Sequence, residues 1–270
     1  MSDLSRVRHA VLDLDGTLYK GSRLFAQTVP FLEQLRTLGI GRTFLTNNTS
    51  RSKAEYVTKL KGMGIDACEQ DIYTPAESVF IYLHSHLPHV KRIAILGTPS
   101  LVHEFEEAGF TLDWEAPEAV VVGFDTTLNY ERLCRTAFWI GNNLPFLATH
   151  PDLVCPTNEP TVLVDCGAVC ACLTAATGKK PIVFGKPQPG ILHELLDRLK
   201  LGAEEMLMVG DRIYTDMKMA QDAGVRGVLV LTGETQLEDV SGLVQMPDLI
   251  VDDIGQLGEM LVIAHMAARD

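Results

Sequence analysis

Short, almost wholly apolar runs punctuate this chain. AVLDLD from Ala10, RIAILG from Arg92, AVVVGF from Ala119, EEMLMVGD from Glu204 and GVLVLTG from Gly227 are the clearest. Windows of helical periodicity separate them, among them PFLEQLRTLGI, SLVHEFEEAG, NYERLCRTAFWIGNN and PGILHELLDRLKLG. Strands with no polar face, alternating with amphipathic helices, belong to a parallel sheet covered on both sides. The expected fold class is therefore α/β, with a doubly wound parallel sheet. The 270 residues suffice for one large domain or two ordinary ones, and a 46% hydrophobic content suffices for a core.

Sheets of this kind carry their chemistry at the carboxyl ends of the strands. Few polar residues occupy those positions here. Asp13 and Asp15 follow the first strand, and Thr46, Asn47 and Asn48 the second. Lys186 lies in VFGKPQP, and Asp211 and Asp216 lie in MVGDRIYTD. In the middle third, Asp125 ends GFD and His150 stands in ATHPD.

Four carboxylates, a lysine and a hydroxyl at strand ends imply one acidic pocket. Carboxylates so placed repel one another, and some acquire raised pKa values unless a cation intervenes. An all-oxygen ligand set suits Mg2+. Carboxylates, a metal and a lysine together suit phosphoryl transfer, because cations neutralise the equatorial oxygens while one carboxylate attacks in line. Each residue also has an ordinary reading. Asp15-Gly16 fits a plain turn, Thr46 and Asn47 fit a helix cap, Lys186 a solvated lysine, Asp211 a helix-start acid and Asp216 a structural acid.

Charge and composition narrow the partners. The formal net charge is −12, spread along the chain, which argues against nucleic acid or an anionic membrane as the main partner. No apolar run is long enough to span a bilayer, and MSDLSRVRHAVLDLDGT lacks a signal-peptide layout. The six cysteines show no paired CxxC spacing and are expected as thiols. Cys166, Cys170 and Cys172 are expected as small buried side chains, the first two sharing a helix face. A cytoplasmic protein is the resulting expectation.

The motif order resembles a known family. DLDGT, then a strand ending in Thr46, then a lysine before a helix, then GDRIYTD, resemble the haloacid dehalogenase superfamily of aspartate-nucleophile phosphatases. FLTNNTSRS, GFDTTLNYERL, ATHPD and ATGKKPIVFGKPQP are similar to the subfamily of NagD-like, para-nitrophenylphosphatase-like and pyridoxal phosphate phosphatase-like enzymes. The resemblance covers nearly the whole chain.

That resemblance implies a Rossmann-like catalytic core of residues 1–86 and 181–270, with residues 87–180 inserted as a smaller α/β cap that governs specificity. It implies Mg2+-dependent hydrolysis of a small phosphorylated metabolite through an aspartyl-phosphate, and a homodimer formed through the cap. Asp13 would be the nucleophile and Asp15 the general acid and base. Thr46 and the Asn47 backbone would bind phosphate, and Lys186 would stabilise charge on both nucleophile and phosphate. Asp13, Asp15 through its carbonyl, Asp211 and Asp216 would surround the metal, Asp216 as a ligand or as support for one. Relatives that displace halide lack the second aspartate, so Asp15 favours phosphoryl chemistry. Two departures stand out: DCGAVCACL replaces a Pro-Gly-x-Gly-type run, and His150 replaces an asparagine. Asp125, His150 and the loop Pro156–Val164 are the expected substrate contacts of the cap. A phosphotransferase or phosphomutase, or a non-catalytic phosphometabolite-binding protein, remain the alternatives.

Overall fold

The computed structural model describes residues 4–155, 161–241 and 246–268. The first segment runs β1 (His9–Asp13), β2 (Tyr19–Lys20), β3 (Arg23–Leu24), α1 (Thr28–Leu38), β4 (Gly41–Leu45), α2 (Lys53–Gly62) and β5 (Ile72–Tyr73). Next come α3 (Pro75–His86), β6 (Arg92–Leu96), α4 (Pro99–Glu107), β7 (Thr111–Leu112), β8 (Ala119–Val122), α5 (Tyr130–Gly141) and β9 (Phe146–Ala148). β10 (Val154–Cys155), β11 (Leu163–Val164), α6 (Cys166–Thr177) and β12 (Ile182–Val183) follow. The chain closes with α7 (Gly190–Leu199), β13 (Met206–Gly210), α8 (Lys218–Ala223), β14 (Arg226–Val230), α9 (Leu237–Val240), β15 (Leu249–Val251) and α10 (Ile254–Ala267).

Two compact units result. One comprises residues 1–45, 57–73 and 186–270, the other residues 46–56 and 74–185. The first holds a six-stranded parallel sheet of order β15-β14-β13-β1-β4-β5. Its central strand is the apolar run before Asp13, and all five residues of β1 are buried. Leu12 pairs with Val209 of β13 on one side, and Asp13 with Leu45 of β4 on the other. The chain leaves β1 toward β4 and later returns to its opposite edge at β13. The strand order reverses there, and this opens a crevice at the carboxyl ends of the strands. Ile191, Leu192 and Leu195 of α7 and Met219 and Ala220 of α8 pack with Val11, Met206 and Met208. A fully buried Leu, Ile or Met side chain contributes about 1.5–3 kcal/mol of transfer free energy, so these helix faces hold the sheet ends firmly.

The second unit holds a five-stranded parallel sheet of order β12-β9-β8-β6-β7. Alternation along its strands sorts the two faces. Ile93, Ile95 and Val121 meet Ala76, Val79 and Leu83 of α3 and Leu101 and Phe105 of α4. Leu96, Val120 and Val122 instead meet Ile140 of α5 and Cys166, Val169, Cys170 and Leu173 of α6. The sequence reading assigned α3 to the segment 1–86. Its apolar stripe, spaced at helical intervals, instead completes the core of the second unit. Periodicity reveals such a stripe but not which of two sheets receives it.

Three further details differ from expectation. The run YTDMKMAQDAGV forms a wide π-helical turn, Ile213–Met217, before α8, rather than one helix. Asp216 explains the widening locally, since its Oδ2 accepts the Arg212 N–H at 3.1 Å. Cys172 is exposed, whereas Cys166 and Cys170 are buried. All six cysteines are free thiols. The two-residue strands β2, β3, β5, β7, β10 and β11 leave no signal in the sequence because so short a run has no period, whereas β12 is the strand expected before Lys186. Among the described residues, no helix is long and apolar enough to cross a membrane.

Candidate active site

The first unit gathers Asp13, Lys186, Asp211 and Asp216. Asp13 is the last residue of β1, and Asp211 follows the last residue of β13, the adjacent strand. Asp216 sits in the wide turn that follows, and Lys186 four residues before α7. All four are buried, with exposures of 8%, 4%, 2% and 0% for Asp13, Lys186, Asp211 and Asp216. Burial this deep rules out a solvated lysine and casual surface acids.

Lys186 Nζ donates to Asp13 Oδ1 and lies 2.7 Å from Asp216 Oδ1. Thr17 Oγ1 donates to the other Asp13 oxygen at 3.2 Å, fixing the carboxylate plane from both sides. Asp211 Oδ2 accepts the Glu234 N–H at 2.6 Å, while its Oδ1 is buried without a hydrogen-bond partner among the described residues. Asp13, Asp211 and Asp216 each offer an oxygen lying within 4.8 Å of the others. Three ionised carboxylates against one ammonium leave an uncompensated negative charge in a dry site.

The titration behaviour follows from that imbalance. Burial, then the neighbouring charges of Asp13 and Asp216, raises Asp211 to about 7. Burial raises Asp216 to about 6, with Lys186 opposing the shift and Asp13 adding to it. Burial alone would lower Lys186, but Asp13 and Asp216 outweigh it and its pKa is raised. The ammonium is therefore permanent at neutral pH, while the carboxylates need a further cation to ionise together. A buried orphan oxygen within an all-carboxylate set fits a hard divalent cation such as Mg2+.

Asp15 is placed differently. It is exposed, and its Oδ2 accepts the Gly21 N–H at 3.3 Å. Partial loss of hydration raises its pKa, with Lys59 opposing and Asp13 reinforcing the shift. Gly16 makes the turn directly after Asp15 possible. Its φ is +93°, and a Cβ there would stand 2.4 Å from Asp211 Oδ2. Thr232 Oγ1 donates to the Gly16 carbonyl at 2.6 Å and pins the turn.

Thr46 and Asn47 follow β4 directly and group with the second unit. Both are buried, and Thr46 Oγ1 accepts the Asn48 N–H at 3.2 Å. They do not cap α2. That helix starts at Lys53, whose N–H is satisfied by Glu104 Oε1 at 2.9 Å. The expected substrate contacts of the second unit fare less well. Asp125 bonds Thr127 N and Oγ1 at 2.8 and 2.7 Å and pairs with Arg132 at 2.9 Å, so it is committed to its own turn. His150 is wholly buried with both ring nitrogens engaged. Of the loop 156–164, residues 156–160 lie outside the described residues. Thr17, Thr232 and Glu234 were missed by the sequence reading. Thr17 alone had a signal, standing four residues after Asp13 inside the turn motif.

Comparison with known proteins follows the same lines. Residues 10–111 match the family model described as haloacid dehalogenase-like hydrolase, and residues 183–257 match one described as HAD-hydrolase-like. The ribonucleotide monophosphatase NagD of Escherichia coli K12 is 28% identical over 251 residues, covering 93% of this chain and 98% of that protein. The crystal structure of a 4-nitrophenylphosphatase from Thermotoga maritima superposes with a TM-score of 0.91 at 37% identity, covering 96% and 99% of the two chains. A glycerol phosphate phosphatase of Mycobacterium tuberculosis, solved in complex with magnesium, gives a TM-score of 0.87 at 32% identity, covering 97% and 80%.

Proposed function

The chain belongs to the haloacid dehalogenase-like hydrolases, in their NagD-like branch, and is a phosphatase. From that premise we propose that it hydrolyses small phosphomonoesters through an aspartyl-phosphate on Asp13, with Mg2+ as its metal. The observation carrying this reading is the buried contact of Asp13 with Lys186, beside Asp211 and Asp216.

In this reading an Asp13 oxygen attacks phosphorus in line, and the bond from phosphorus to the ester oxygen breaks. Asp15 gives the leaving oxygen its proton, and the upward shift that partial burial imposes on its carboxyl favours the protonated form. Water then attacks the same phosphorus, Asp15 takes the water's proton, and the acyl-phosphate bond breaks to release phosphate. Lys186 orients Asp13 and balances charge that builds on the transferring oxygens. The Thr46 hydroxyl and the Asn47 backbone hold phosphate, by likeness to the subfamily.

Asp13, Asp211 and the Asp15 carbonyl would hold the ion, and the orphan Asp211 Oδ1 is the best-suited oxygen. Asp216 faces Lys186 with one oxygen and the Arg212 N–H with the other. We therefore assign it to support the lysine beside the ion. When bound, Mg2+ supplies positive charge to the carboxylates and the phosphate oxygens.

The second unit acts as the specificity cap in this reading. It exposes Tyr130 and Phe138 on α5 and Val154, Val162, Leu163 and Val164 at the β10–β11 hairpin. So much exposed apolar surface supports a homodimer through this unit. Free cysteines throughout support a reducing, cytoplasmic setting. The test is turnover of 4-nitrophenyl phosphate by Asp13→Asn, expected to fall by at least about 10³-fold. Near-normal turnover by that variant would overturn the proposal.

A further inference from the structure

Within the second unit, Asn47 is held through the nitrogen of its carboxamide. Its Nδ2 donates to Asp152 Oδ1 and Oδ2, at 3.2 and 3.3 Å. Its Oδ1 lies over Gly185, where a Cβ would approach to 2.8 Å. Gly185 also has φ of +70°, so a side chain is excluded there on two counts. The carboxamide consequently has one orientation, with nitrogen toward the carboxylate and oxygen toward the glycine.

Asp152 is itself anchored. Its backbone carbonyl accepts the Gly167 N–H at 2.8 Å, in the first turn of α6. Gly167 has no room for a side chain, since a Cβ would meet the Pro151 carbonyl oxygen at 2.0 Å. Two residues earlier, His150 is wholly buried; its Nε2 lies 2.8 Å from Asp165 Oδ1 and its Nδ1 2.8 Å from Thr149 Oγ1. Asp165 Oδ1 also accepts the Cys166 N–H at 2.6 Å and so caps α6. His150, Asp152 and Asp165 have polar atoms within 4.8 Å of one another, a spacing that also suits a metal. The ring nitrogens already have partners, however, so a protonated His150 fits the site better. Burial would lower its pKa, but Cys166, Asp165 and Asp152 together raise it to about 9. His150 thus pairs directly with Asp165, and Asp152 stands alongside that pair.

We propose that Asp152 is a positioning residue for the phosphate-binding segment, acting through the Asn47 carboxamide. The inference rests on the phosphatase reading above, in which the Asn47 backbone binds phosphate. It also accounts for His150, whose bonds to Thr149 and Asp165 fix the segment that carries Asp152.

The experiment is a double-mutant cycle between Asn47→Ala and Asp152→Ala, read as KM for 4-nitrophenyl phosphate, the inhibition constant of inorganic phosphate, and kcat. In the otherwise native chain, Asp152→Ala should raise KM and the phosphate constant about tenfold, the scale of a hydrogen bond to a charged group, with a smaller effect on kcat. Asp152→Asn, which keeps one acceptor, should recover part of that loss. In the Asn47→Ala background, Asp152→Ala should change either constant by less than about twofold. Equal effects in both backgrounds, or no effect in the native one, overturn the inference while leaving the phosphatase reading intact. A native chain that hydrolyses no phosphomonoester overturns both. If Asp152→Ala fails to fold, as judged by its melting transition, the same cycle run with Asp152→Asn decides the question.

Discussion

Replacing Lys186 by methionine removes one charge and keeps most of the side chain's volume. The lysine is 4% exposed, contacts Asp13, and stands 2.7 Å from Asp216. At that distance and an effective dielectric constant of about 20, one such pair is worth roughly 6 kcal/mol of gross attraction. Desolvation consumes much of it, so the net loss on breaking a buried pair is about 3–5 kcal/mol. The deficit should depend on pH. Without the ammonium that opposes the shift, Asp216 binds its proton still more tightly in the folded chain than in the unfolded one. A carboxylate whose folded pKa is raised subtracts from stability as pH climbs above its unfolded value. The metal-free variant should therefore melt well below the native chain at pH 7.5 and much closer to it near pH 4. Catalysis should suffer in parallel, because the charge that balances the transferring phosphoryl group is gone. A loss of about 10²–10³ in kcat for 4-nitrophenyl phosphate is the scale for one lost electrostatic contact of this kind. Melting curves at the two pH values, with turnover measured in saturating Mg2+, give both readouts. A variant within threefold of native turnover, or a melting deficit independent of pH, would contradict this role for Lys186.

Other outcomes follow from the same charges. Chelation by EDTA should abolish turnover and added Mg2+ restore it. The rise in melting temperature on adding Mg2+ should be larger at pH 8 than at pH 5.5, because Asp216 at about 6 and Asp211 at about 7 still hold protons at the lower pH. Within the second unit, Glu104 is buried, and burial raises it from 4.5 to about 7, with Lys53 opposing the shift and Glu77 and Glu107 adding to it. Its charge thus costs stability increasingly from pH 4.5 to about 7, and fully above. Glu104→Gln keeps an acceptor for the Lys53 N–H and should stabilise the chain by up to about 3 kcal/mol at pH 8, but hardly at pH 4.5. A pH-independent difference in melting would contradict that assignment.

The chemistry was more legible in the sequence than the architecture of its second unit. Strand ends could be found because apolar runs stop abruptly at Asp13, Leu45 and Gly210, and the polar residues immediately beyond them are the candidates. That Lys186 would meet Asp13, 173 positions earlier, came from family likeness rather than from any local signal. The side to which α3 packs was hidden, because Ala76, Val79 and Leu83 would suit any sheet. Asp125 and His150 looked available because a polar residue at a strand end is ambiguous until its partners are known. Arg132 and Thr127 occupy the first, and Asp165 and Thr149 the second. Supporting contacts such as Thr232 to Gly16 are longer-range still, joining residues 216 positions apart.

The central claim is that Asp13 carries the phosphoryl group between two chemical steps. Borohydride reduces an acyl phosphate, so quenching the Mg2+-loaded enzyme during turnover with borohydride should convert residue 13 to homoserine. Mass spectrometry of the peptide spanning VLDLDGTLY reads that change directly. Homoserine is expected at position 13, dependent on substrate and absent from position 15. An unmodified residue 13 in an enzyme that is turning over, or reduction at Asp15 in its place, would contradict it.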